Sequence, residues 1–73
     1  MYKITFTNPE GESFDCENIY EIRVGDSEEE LMTIPDEIIP TRICDGCMFH
    51  LIGKDLNMIF GFNGDAFIEK MND

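Results

Sequence analysis

Residues 2–7, Tyr-Lys-Ile-Thr-Phe-Thr, alternate with period two, so Tyr2, Ile4 and Phe6 share one face while Lys3, Thr5 and Thr7 share the other. This pattern predicts a strand with one side against a core. Asn8-Pro9-Glu10-Gly11 then reads as a turn, because proline presets φ and glycine is free to take a positive value. Residues 12–16 return as a second strand with Phe14 and Cys16 on a common face, giving a hairpin over 2–16. Residues 19–24, Ile-Tyr-Glu-Ile-Arg-Val, predict a third strand that ends at Gly25-Asp26-Ser27. Glu28-Glu29-Glu30 would suit a helix N-terminus, where carboxylates oppose the positive end of the dipole. Pro35 and Pro40 argue against a long helix there, so 31–34 is expected as strand or loop.

A second hairpin follows. Residues 49–52 form its first arm, Gly53-Lys54-Asp55 the turn, and 56–62 the return, with Leu56, Met58, Phe60 and Phe62 on one face. Asn63-Gly64-Asp65 is a turn, and Asp65 is placed to cap a last helix of about two turns. In that helix Phe67 and Met71, four apart, lie together, with Ile68 beside them. Met32, Met48, Met58 and Phe60 are read as core. The expected architecture is α+β: mostly antiparallel β, two hairpins plus a further strand, and a short C-terminal helix. It is one domain over residues 1–73, without repeats or linkers.

Size turns attention to the cysteines. A chain of this length hides only about 60% of its unfolded surface. Below roughly 70–80 residues a disulfide, a metal or a partner often makes up the deficit. There are three cysteines, Cys16, Cys44 and Cys47, an odd number that cannot pair completely within one chain. The opening MYKITFT lacks a basic segment followed by an apolar one, so no secretory signal is read. No apolar run approaches the roughly 20 residues that would span a bilayer. The expectation is a soluble protein of a reducing compartment, where thiols read as metal ligands before disulfides.

Cys44-Asp45-Gly46-Cys47 is a C-x2-C pair, and His50 follows three residues on. Gly46 eases the tight turn that would point two thiolates at one ion. With Cys16 added, three cysteines and one histidine make a complete tetrahedral zinc set. Such a structural Zn2+ would staple the early hairpin to the later one and close a long loop. If 48–52 is a strand, however, His50 shares a face with Met48 and lies opposite Cys47, so the turn has to rotate Cys47 out of strand geometry. Asp45, Asp15 or water could replace Cys16 as fourth ligand. Buried thiols acting as small hydrophobes, and a redox C-x2-C, are the competing readings.

Charge adds a separate clue. Five Lys and Arg face 16 Asp and Glu, a formal net charge of −11. Residues 10–37 hold eleven of these acids against one base, Arg23. That field repels nucleic acid and anionic lipid and attracts a basic protein. The plain alternative is that the acids keep a small chain in solution. Catalysis finds little support: there is one histidine, no G-x-S-x-G and no H-E-x-x-H, and a four-ligand zinc leaves no open position.

The whole chain resembles the small phage-encoded anti-CRISPR proteins of type II-A, in particular a zinc-containing inhibitor of the RNA-guided effector nuclease. Cys16, the segment Cys44-Asp45-Gly46-Cys47-Met48-Phe49-His50, the short length and the acid excess carry the likeness. The resemblance implies a non-enzymatic inhibitor, with structural zinc, that binds a type II CRISPR effector in the bacterial host cytoplasm and blocks DNA loading or cleavage. It implies neither direct nucleic-acid contact nor membrane contact. The effector's heteroduplex channel is positively charged, which makes Asp26, Glu28, Glu29, Glu30, Asp36 and Glu37 the candidate contact residues. The alternative is a small zinc-stabilised adaptor for an unrelated basic partner.

Overall fold

The computed structural model describes residues 1–44 and 46–71. In chain order the strands are β1 (Tyr2–Thr7), β2 (Ser13–Gly25), β3 (Met32–Thr33), β4 (Thr41–Ile43), β5 (Cys47–Gly53), β6 (Asn57–Phe62) and β7 (Asp65–Lys70). They form one antiparallel sheet in the order β4-β7-β1-β2-β5-β6, with β3 alongside β2. Two three-residue 3-10 turns, Glu28–Glu30 and Asp36–Ile38, are the helical pieces among the described residues.

Both expected hairpins form. β1 runs against β2 with Phe6 opposite Phe14 and Ile4 opposite Cys16. β5 runs against β6 with Phe49 opposite Phe60 and Leu51 opposite Met58. The expected third strand is instead the continuation of β2. Between the pairs Ile4–Cys16 and Tyr2–Ile19, β2 advances three residues while β1 advances two, which is a β-bulge. Asn18 sits in it with φ 61°, a conformation asparagine tolerates better than most side chains. A second irregularity follows at Ile19–Glu21 opposite Gly53–Ile52. Bulges bend and twist a strand, so residues 13–19 pair with β1 and residues 19–25 with β5.

The bend makes a core possible. Phe6 on β1 and Phe49 on β5 belong to non-neighbouring strands, yet their ring centroids are 5.1 Å apart. Phe6 also meets Phe60 at 5.4 Å and Phe62 at 4.9 Å. The sheet therefore folds over upon itself. Ile4, Phe6, Ile19, Ile22, Ile39, Phe49, Leu51, Ala66 and Ile68 fill the space between the two halves. Each large apolar side chain so buried contributes about 1.5–3 kcal/mol before entropy is counted.

The expected α+β architecture is corrected in two respects. Residues 65–70 are not a helix but β7, placed between β1 and β4. Ala66 and Ile68 are two apart and fully buried opposite Phe6 and Ile4. Period-two burial and a ready ladder on β1 outweigh a helix too short to be stable alone. Gly64 permits the approach: its φ is +151°, and a Cβ there would lie 2.4 Å from the Thr7 carbonyl oxygen. The second correction concerns the zinc staple, because the halves are joined by the continuous bent β2 and its apolar contacts. Two of the residues read as core are also displaced: Met32 is 74% exposed and Met58 45%.

Candidate functional site

Cys47 is the first residue of β5, in register with Phe62. Alternation puts it on the face of the buried Phe49 and Leu51, and it packs half-buried against the core. His50 is three residues on and takes the opposite face. There its Nε2 lies 2.6 Å from Asn57 Oδ1, donating to that carbonyl oxygen as Nε2–H. The rotation out of strand geometry that a shared ion needs at Cys47 does not occur. Cys16, opposite Ile4, is half-buried at the core's edge, and Cys44 is exposed just after β4. Asp15 faces the other way from Cys16, with Lys3 Nζ 3.6 Å from its carboxylate. Asp45 lies outside the described residues.

Burial pushes the Cys47 thiol above its ordinary pKa, and the neighbouring Asp26 carboxylate adds to the effect. The Cys47 thiol is therefore favoured over the thiolate in the metal-free protein. No group of three or more His, Cys, Asp or Glu among the described residues is disposed to hold an ion. Among the described residues, the structure does not bring the expected set Cys16, Cys44, Cys47 and His50 together as one group.

The acidic residues fall into two groups. Asp26, Glu28, Glu29 and Glu30 occupy the loop and 3-10 turn that leave the end of β2, and all four are exposed. This turn folds back closely, since a Cβ on Gly25 would lie 2.4 Å from the Glu30 carbonyl oxygen. Asp36 and Glu37 stand on the second 3-10 turn, also exposed. Asp36 has internal work: the Tyr2 hydroxyl donates to its Oδ1 at 2.7 Å, and Lys70 Nζ is 3.0 Å from its Oδ2. The Tyr2 bond, then Lys70, hold the Asp36 carboxyl below its usual range, and the same bond raises the Tyr2 phenol. Among the described residues the side-chain ion pairs engage Asp15, Glu21 and Asp36, while Asp26, Glu28, Glu29, Glu30 and Glu37 take part in none.

A polar belt not anticipated from the sequence crosses the outer face of the β3-β2-β5-β6 half. Arg23 pairs in register with Thr33 on one side and His50 on the other, and His50 pairs with Ile59. Glu21 accepts hydrogen bonds from the Thr33 hydroxyl and, at 2.7 Å, from Arg23 Nε. Those two donors, Thr33 first, depress its pKa and keep it ionised. A carboxylate so held is an electrostatic and structural group rather than a proton donor. The alternation of Glu21 and Arg23 with Ile22 and Val24 was a usable signal for their common face, but their pairing with Thr33 and His50 was not local information.

The site that emerges is a surface: an acidic turn at one end of a bent sheet and a polar belt across its outer side. No helix of the structure is long and apolar enough to cross a membrane. No protein-family model, no curated protein and no solved structure matches the chain.

Proposed function

We propose that this chain is a protein-binding inhibitor that engages the positively charged surface of a type II CRISPR effector nuclease in the bacterial host cytoplasm. The observation that supports it most is the clustering of exposed carboxylates without internal cations, Asp26, Glu28, Glu29 and Glu30 on one loop and turn and Glu37 on the next turn. A charged, partner-free group on a compact scaffold is available to a basic surface at no cost in broken ion pairs. It steers association and gives complementarity. Asp36, tied to Tyr2 and Lys70, positions its turn rather than contacting a partner. Zinc has no part in this reading.

The test is target-DNA cleavage by several type II effectors with the protein in molar excess. Inhibition is expected, weakening as salt rises and lost when Glu28, Glu29 and Glu30 are all changed to Gln. Full cleavage by every effector would end the proposal. Recovery from host lysate of a basic protein other than a nuclease would point instead to the adaptor reading.

A further inference from the structure

The sheet has edges, and they differ. β4 has three residues, is preceded by Pro40 and carries the exposed Arg42. β3 has two residues. The outward side of residues 13–18 bears Asp15 and Glu17 and is broken by the bulge at Asn18. Short length, proline, charge and bulges are the usual means by which proteins blunt an edge. β6 has none of them. Its sequence, Asn-Met-Ile-Phe-Gly-Phe, spans six residues without charge or proline and pairs on one side only, with β5.

The register shows which backbone groups face outward. Gly53 N–H donates to the Leu56 carbonyl at 2.8 Å, so that pair closes the hairpin as a hydrogen-bonded one. Antiparallel pairs alternate between bonded and non-bonded. Leu51–Met58, Phe49–Phe60 and Cys47–Phe62 are therefore bonded, and the N–H and C=O groups of Asn57, Ile59 and Gly61 point away from β5. Among the described residues no backbone hydrogen bond beyond the β5 ladder engages those groups. Apolar side chains flank this row. Met58 and Ile59 are 45% and 47% exposed, on opposite faces of the strand, and Phe14, 52% exposed, rests on Phe62 at 5.6 Å.

We infer that the free edge of β6 docks an extended segment of a basic partner protein, which adds to the sheet as a further antiparallel or parallel strand. This rests on the proposed reading of the chain as a binder of basic protein and specifies how it grips. Strand addition takes its affinity from main-chain bonds and its selectivity from alternate side chains. Apolar residues of the guest would cover Met58 and Phe60 on the inner face. Its lysines and arginines would lie in the field of a chain with net charge −11. The same field disfavours a second copy as occupant, because pairing β6 with β6 would bring two such charges together.

The experiment uses the full chain and an amidated seven-residue peptide alternating valine with lysine or arginine. It is run beside an acidic version, with glutamate at the charged positions, and a version N-methylated at alternate residues. Binding is read by fluorescence anisotropy, and amide hydrogen exchange locates it. The basic peptide should bind and slow exchange at Asn57, Ile59 and Gly61. N-methylation should weaken it at least tenfold, as should Ile59→Pro, which removes an outward N–H and no β5 bond. The N-methylated peptide keeps the test valid if Ile59→Pro does not fold. Salt-sensitive binding that N-methylation leaves unchanged, with no slowed exchange on β6, would overturn strand addition and leave the acidic-surface reading standing. Absence of binding, or equal binding of the acidic peptide, would overturn both. A concentration-dependent dimer with those amides protected would assign the edge to self-association and overturn the proposal.

Discussion

Asp36 shows how a residue that reads as a contact becomes a clasp. Its carboxylate joins Tyr2 near the chain start, Lys70 at the end of β7 and its own 3-10 turn. Because its folded pKa is depressed, the unfolded chain binds more protons in the interval below the ordinary carboxylate value of about 3.9. The clasp's contribution is therefore present above that value and fades as pH falls through the lower folded one. Asp36→Asn should lower the melting temperature at pH 7, and the gap from wild type should narrow as pH falls below the ordinary carboxylate range. General charge repulsion changes with pH in both proteins, so the difference isolates the clasp. A gap that persists unchanged at pH 2 would show that the carboxylate's charge is not what matters. The sequence marked Asp36 as acidic and exposed, which is correct. It could not mark the partners, which lie 34 residues away in each direction along the chain.

β2 is the element on which the architecture turns. The sequence suggests two strands, over 12–16 and 19–24, separated by Glu17 and Asn18, and the gap is real: it is the bulge. The left-handed backbone of Asn18 gives a direct test. Asn18→Val, stiff and β-branched, should cost about 1–2 kcal/mol, whereas Asn18→Gly should be nearly neutral or stabilising. Chemical denaturation measures both, and equal stability of the Val and Gly variants would contradict the conformation. β7 carries the opposite lesson. Phe67 and Met71 have helical spacing, and Ala66 and Ile68 have strand spacing. In six residues neither period dominates locally, and pairing with β1 and β4 decides between them.

For the whole molecule, the question is what holds so short a chain in shape. The sheet folds over a single apolar cluster centred on Phe6, which touches the rings of Phe14, Phe49, Phe60 and Phe62. In that arrangement strand pairing and apolar contacts join the two halves, and Cys47 and His50 stand on opposite faces. A chelator is expected to leave the melting temperature unchanged, and elemental analysis of the purified protein to find zinc well below one per chain. A drop of several degrees on chelation would mean that Cys44, Cys47 and His50 come together in an arrangement other than this one. The same folding-over leaves the acidic turn and the β6 edge outward together, so an exposed charged turn and an uncharged, unpaired strand edge belong to one small body.

Alternation and turn chemistry, both properties of neighbouring residues, were enough to place β1 and the two hairpins, because side-chain period and glycine or proline geometry act over a few positions. Three things were settled by pairing between distant segments. Residues 65–70 are a strand because β1 offers a ladder. Cys47 and His50 diverge because β5 begins at Cys47 and keeps its pleat. β6 keeps an open edge because the curled sheet stops short of closing. Each depends on which strands meet, and strand pairing is set by long-range contacts that no window of sequence contains.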